Sequence, residues 1–173
     1  MPLNRNEIAD RLQEIETTSV ADTRGKKFED LASYLFEEIE CPVERNLVSP
    51  LGSQQIDLAV AHLGALGPVP NFFLVECKHW EKPVDSAAVG YFLKTCEDRR
   101  SSLGIIFSKS GITGASTDGT AANSLSFASH FRGTSLVVLD KNDLLKIDSN
   151  SDFILMLVRA WMRAAATGAV GRP

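Results

Sequence analysis

What the sequence lacks narrows the field first. No apolar run approaches the roughly 18 residues needed to span a bilayer. The opening "MPLNRNEIADRLQEIE" is charged and has no signal-peptide apolar region. A cytoplasmic protein with no membrane partner is therefore expected. Cysteine is scarce: Cys41, Cys77 and Cys96 form no CxxC pair and offer no zinc spacing, so they read as buried free thiols. The histidines, His62, His79 and His130, are scattered and make no metal cluster. Charge of one sign is also missing. A net charge of -4 argues against coating nucleic acid by bulk charge, but leaves room for an enzyme that meets DNA on one local surface. There is no internal repeat, low-complexity block or coiled-coil heptad.

The 173 residues, 44% hydrophobic and 23% charged, have the composition of a soluble globular domain. We expect one domain over 1–166, with a catalytic core at about 25–147, a C-terminal helix over 151–166 and a flexible tail over 167–173.

Periodicity supplies the elements. Leu3, Ile8, Leu12 and Ile15 mark a helix over 3–16, and Phe28, Leu31, Ala32, Leu35, Phe36 and Ile39 a second over 25–40. Pro42 ends it. Strands are expected over 43–48 and 55–62, the latter with Ile56, Leu58 and Val60 on one face and Asp57 on the other. A turn over 49–54 joins them, and the Gly/Pro-rich "LGALGPVP" leads into a third strand, "NFFLVECK". A helix over 85–100 follows, capped by Asp85 or Ser86, with Val89, Phe92, Leu93 and Cys96 inward. Then come strand 103–108, loop 109–119, helix 120–131, strand 134–140, the helical turn "KNDLLKI" and the last helix, with Ile154, Leu157, Val158, Trp161 and Ala165 on its inner face. The fold class is α/β: a mixed five-stranded sheet, an antiparallel meander extended by parallel strands, with helices on both faces.

One stretch breaks the core pattern. "FFLVECKHW" begins as a buried strand and then carries Glu76 and Lys78 on one face. A symmetric hairpin centred between Leu66 and Gly67 sets Asp57 directly opposite Glu76, with Cβ atoms ~4.5–5.5 Å apart. Opposed carboxylates repel, and three things relieve them: a shared proton, a cation such as Lys78, or a divalent metal. Mg²⁺ prefers oxygen ligands and uses one or two carboxylates with water and phosphate. The Cys77 backbone carbonyl would add another oxygen, and Lys78 would reach the water or phosphate beside the metal. Such a site suits phosphodiester hydrolysis.

Asp57, a hairpin loop and then Glu76-Cys77-Lys78 resembles the D…(D/E)xK motif of the PD-(D/E)xK nuclease superfamily. The surrounding order resembles its Mrr-like restriction endonuclease branch: Phe28-Glu29 before the strands, Ile56-Asp57, then Glu76-Cys77-Lys78 with His79 and Trp80, "LGIIFSKSGIT" and "LVVLDKNDLL". The resemblance covers about residues 25–147. It departs where Ile56 replaces the superfamily's proline and where Gln54 and Gln55 replace glycines frequent in the branch. It implies a restriction-endonuclease-like fold and a Mg²⁺-dependent DNA endonuclease, Mn²⁺ substituting, in bacterial restriction or anti-phage defence. Asp57 and Glu76 would hold the metal with the Cys77 carbonyl, Lys78 would assist the attacking water, and Glu29 would support the site. Lys26, His79 and Lys109 are candidate nucleic-acid contacts. Cutting a duplex implies a homodimer or larger homo-oligomer, and a separate recognition or regulatory partner is left open. The alternatives are a nuclease for RNA or for branched or damaged DNA, and an inactive binding or assembly module of the same fold.

Overall fold

A computed structural model describes residues 2–50, 52, 54–113 and 121–173. Part of the expected 49–54 turn, residues 114–119 of the expected loop and the first residue of the expected 120–131 helix lie outside the described residues. The elements run α1 (Arg5–Thr17), α2 (Ala21–Glu37), β1 (Val43–Val48), β2 (Gln55–Ala61), β3 (Phe72–Lys78), α3 (Ser86–Asp98), β4 (Leu103–Ser108), α4 (Ala121–Phe131), β5 (Ser135–Asp140), α5 (Lys141–Leu144) and α6 (Asn150–Thr167). No helix among them is long and apolar enough to cross a membrane.

The five strands stand in sequence order. β1, β2 and β3 form an antiparallel meander, and β4 and β5 add parallel to β3. This is the expected mixed sheet. The two crossovers, through α3 and α4, step the same way along the sheet, so right-handed connection places both helices on one face. Ile56, Ala59, Leu74, Ile106, Leu136 and Val138 meet them there. The opposite face carries the larger core, where Leu58, Val60, Phe73, Val75, Ile105 and Phe107 pack under α1, α2 and α6. Its centre is Phe36, whose ring meets Phe73, Phe107 and Phe153 at centroid distances of 5.5, 5.8 and 5.3 Å.

Local chemistry accounts for the boundaries. Asn4 caps α1 by accepting the Glu7 N–H at 2.9 Å, and Asp85 caps α3 by accepting that of Ala88 at 2.9 Å. Asp140 and Asp143 form a reciprocal capping box that starts α5 at the end of β5. The β2–β3 connection is anchored from within, with Leu66 and Val69 in the core. His62 clamps it: one ring nitrogen lies 2.9 Å from the Val69 carbonyl, and the other accepts the Gly64 N–H at 3.1 Å.

Three expectations change. Ile56 does not share a face with Leu58 and Val60; it joins Ala59 and Leu74 on the α3 face. Alternation along β2 therefore breaks at Asp57. The partner strand shows why. Asn46, which the β1–β2 register sets opposite Asp57, has φ 53°, a left-handed backbone inside a strand. A residue in that conformation turns the strand and interrupts the regular pleat.

The buried stripe of α6 is also rotated. Phe153, Met156, Leu157, Ala160 and Ala164 are inward, while Ile154, Val158 and Trp161 pack only partly against the core. Close approach explains this, because only small side chains fit where the end of the chain threads between α6 and β5.

That end was expected to be flexible, but it docks. The Gly171 N–H donates to the Leu136 carbonyl at 2.8 Å, and the Val138 N–H donates to the Gly171 carbonyl at 3.0 Å. Arg163 holds the Arg172 carbonyl at 2.6 Å. A Cβ at position 171 would lie 2.1 Å from the Ala160 carbonyl oxygen, so glycine is what allows the passage. The docked segment occupies the open edge of β5, where unpaired strand groups would otherwise be exposed.

Candidate active site

The site grows out of the β2–β3 hairpin. The observed register pairs Leu58 with Val75, Ala59 with Leu74 and Val60 with Phe73. One step further sets Asp57 opposite Glu76, as the symmetric hairpin predicts. The ladder stops before that step. The Cys77 N–H donates instead to the Asp57 carboxylate (Oδ2) at 2.8 Å, so a side chain takes over from the neighbouring backbone where the two strands part. The apolar half of β3, Phe73 to Val75, is fully buried and fixes where the charged half emerges.

Around that point two carboxylates and one amine meet, with a third carboxylate, Glu29, near enough to feel their field. Lys78 Nζ lies 2.5 Å from Glu76 Oε1, with both side chains largely shielded from solvent. Burial pushes the Glu76 carboxyl up to about 7, and the nearby Asp57 raises it further against the opposing pull of Lys78. Asp57 is also raised, mainly by burial, with the Cys77 N–H and Lys78 working against the shift. Glu29, on α2, is raised by burial and then by the field of Asp57, which places it in the same electrostatic cluster. Burial opposes the charge on Lys78, but Glu76 and Asp57 outweigh it and hold the amine above its ordinary value. Of the three ways to relieve opposed carboxylates, the protein alone supplies the lysine in full. Burial, more than repulsion by Asp57, keeps Glu76 raised despite this cation.

The residues also share a cleft of about 570 Å³. The first half of α2 forms one wall, with Arg24, Lys26 and Glu29. Asn46 and Gln55 from β1 and β2 form the opposite wall, and Cys77, Lys78, His79 and Trp80 complete it at the end of β3. Asp57, only 9% exposed, and the half-buried Glu76 sit beside Cys77 and Lys78.

The other candidates divide. His79 packs edge-on against Phe28 at 5.3 Å and lines the cleft. Its Nδ1 is buried with no hydrogen-bond partner among the described residues. Burial, and then Lys109, lower its tendency to hold a proton. Lys26 is exposed on the α2 wall. Lys109 does not line the cleft; its amine pairs with Glu81 at 2.7 Å. Cys77 packs into the core with α2, as strand alternation implies, and burial pushes its thiol far above the usual range.

Sequence reasoning missed Arg24, Asn46 and Gln55 as parts of this cleft. Arg24 precedes Phe28 by four residues on α2, so helical spacing could have placed it. No sequence signal marks Asn46, whose position depends on a local distortion of β1.

Whether this donor set suits a metal can be judged from its chemistry. Among the described residues, no three His, Cys, Asp or Glu side chains form a ready-made cage. A zinc-type structural site needs four protein ligands, and the described residues offer no such set. Two close carboxylates, each raised by the other's field or by burial, suit a hard cation that keeps most of its water.

Comparison with curated proteins finds no match. The family model Mrr_cat, described as restriction endonuclease, matches residues 20–146. The match runs from the start of α2 through every strand and past α5, and takes in Glu29, Asp57, Glu76 and Lys78. The chain, a mixed five-stranded sheet whose central hairpin ends in the Asp57 and Glu76-Cys77-Lys78 set, belongs to the Mrr_cat restriction endonuclease family, a PD-(D/E)xK family of nucleases.

Proposed function

We propose that this chain is a Mg²⁺-dependent endonuclease that hydrolyses DNA phosphodiester bonds, serving bacterial restriction or anti-phage defence. The observation that carries the reading is the buried Asp57–Glu76 pair beside Lys78, at the end of a strand that opens into a cleft lined by Arg24 and Lys26 as well as Asp22 and Glu29. Each carboxylate has one oxygen committed internally, Asp57 to the Cys77 N–H and Glu76 to Lys78. The second oxygen of each, with the Cys77 carbonyl, is the set that would hold the cation. A divalent cation bound there supplies Lewis acidity to the scissile phosphoryl group.

The chain's own residues do the rest. Lys78, kept charged by its neighbours, moves its hydrogen bond from Glu76 to the attacking water or to a phosphate oxygen as negative charge builds there. The Cys77 N–H fixes the orientation of Asp57. Glu29 adds negative field from α2 and receives a water-mediated contact. Lys26 and Arg24 lie where backbone phosphates would enter, and His79 forms the adjoining rim. Lys109, tied to Glu81, takes part only if a substrate phosphate draws it away.

Cutting both strands of a duplex needs two such sites, so a homodimer or larger homo-oligomer is expected; sedimentation velocity with and without DNA measures it. The direct test of the chemistry is cleavage of supercoiled plasmid by wild type and Asp57→Asn, with Mg²⁺ and with EDTA. Nicking or linearisation by wild type with Mg²⁺ alone is expected, with loss of activity in Asp57→Asn. Equal cleavage in all four reactions overturns the assignment.

A further inference from the structure

Of the three non-glycine residues with a left-handed backbone among the described residues, Glu40 and Arg100 lie within three residues of the C-terminal ends of α2 and α3. That is the usual place for such a conformation. Asn46 alone lies inside a strand, with φ 53°. The residues on either side of it pair regularly, Arg45 with Leu58 and Leu47 with Ile56. The distortion is therefore confined to the position facing Asp57. L-residues adopt this conformation at a cost, which asparagine bears better than most. Strain of this kind persists where the surroundings impose it, and it collects at functional sites.

The consequence is geometric. The side chain at 46 is exposed and lines the cleft wall across from Lys26 and beside Gln55, whose amide reaches Asn46 Oδ1 at 3.5 Å. The site already holds Glu29, Asp57 and Glu76 against Lys78, so a further carboxylate on this wall would add to their repulsion. A neutral carboxamide donates to a phosphate oxygen without adding one.

We propose that Asn46 is a substrate-positioning residue, whose carboxamide donates to a backbone phosphate of the DNA strand lying over Lys78. The distorted backbone of β1 serves to present it. This rests on the nuclease reading of the cleft and adds a wall that the D…ExK motif does not contain.

The test compares wild type, Asn46→Gly and Asn46→Asp. Binding to a short fluorescent DNA duplex is followed by anisotropy with Ca²⁺ in place of Mg²⁺, across a salt series, alongside thermal melts and plasmid-cleavage kinetics. Glycine removes the amide and relaxes the backbone, so its melting temperature should equal or exceed that of wild type. Its affinity should fall about 10–100-fold, the size of one lost hydrogen bond to a charged group. KM should rise by a similar factor with kcat little changed. The salt slope should match wild type, because no cation is lost. Asn46→Asp should bind more weakly still, by repelling the phosphate.

Wild-type binding with an equal affinity for Asn46→Gly overturns the inference and leaves the nuclease reading standing. So does a loss of affinity that tracks a fall in melting temperature. Absence of DNA binding and cleavage by wild type overturns both.

Discussion

Lys78→Ala should lower plasmid cleavage by about 10²–10³-fold, the usual effect of removing one preorganised donor to a developing charge. The amine is well placed for this because it is half-buried and pinned to Glu76 at 2.5 Å. Its position on β3 is set by a buried ladder rather than by a mobile loop. Lys78→Arg separates charge from geometry. Arginine keeps the positive charge but carries it on a longer, planar fork that does not present a single amine at the same point. Lys78→Arg should therefore keep most of the electrostatic relief around Asp57 and Glu76 while recovering little activity. Initial rates on supercoiled plasmid, at a fixed Mg²⁺ concentration, measure both variants. Full activity in Lys78→Ala would remove Lys78 from the mechanism.

The second large effect appears without any substrate. Metal-free protein should lose stability as pH rises through about 7. The sign follows from Glu76: its carboxyl is raised from an ordinary value of 4.5 to about 7 in the folded protein. The folded state thus holds that proton more tightly than the unfolded chain does. The resulting stabilisation is complete below about 4.5 and disappears as pH climbs past the folded value. A shift of this size corresponds to about 3 kcal/mol at most, and to a fall in melting temperature of up to roughly 10 °C for a domain of this length. Asp57 and Glu29, raised in the same direction, add to the trend.

Glu76→Gln should flatten the profile, since an amide fills the same space without titrating. Mg²⁺ should stabilise wild type more at pH 8 than at pH 6, because a bound cation favours the ionised carboxylates. Thermal melts with EDTA and with Mg²⁺ across this pH range measure both effects. A wild-type profile that matches Glu76→Gln, with no Mg²⁺ dependence, would mean that the pair is neither strained nor built for a cation.

Much of this molecule is legible one residue at a time. The helical stripes of α1, α2 and α3 and the strand over 103–108 follow from hydrophobic spacing. That spacing reports burial directly, because each of these helices packs one regular face and β4 packs two. The register of the β2–β3 hairpin, which pairs Leu58 with Val75, was legible too, for a reason of symmetry. A hairpin with a compact loop keeps constant register, and His62 with Leu66 and Val69 makes this long loop behave as one rigid turn.

What failed to show in the sequence lies where two distant segments meet. The rotated stripe of α6 depends on the chain end arriving between that helix and β5, and nothing local in residues 150–167 encodes this. The break in β2 alternation depends on the backbone of Asn46 in another strand. Lys109 looked available from its place after β4, until Glu81 from a different loop took its amine.

The sequence by itself determined the element order, the mixed sheet and the hairpin that carries Asp57 and Glu76, because periodicity and hairpin register are properties of short stretches. Only the tertiary structure decided which cations face the cleft, which end of the chain seals β5, and that a strained asparagine stands across from the carboxylates. Those outcomes arise from contacts between segments far apart in the chain, where packing space and charge pairing override the preference of any one residue.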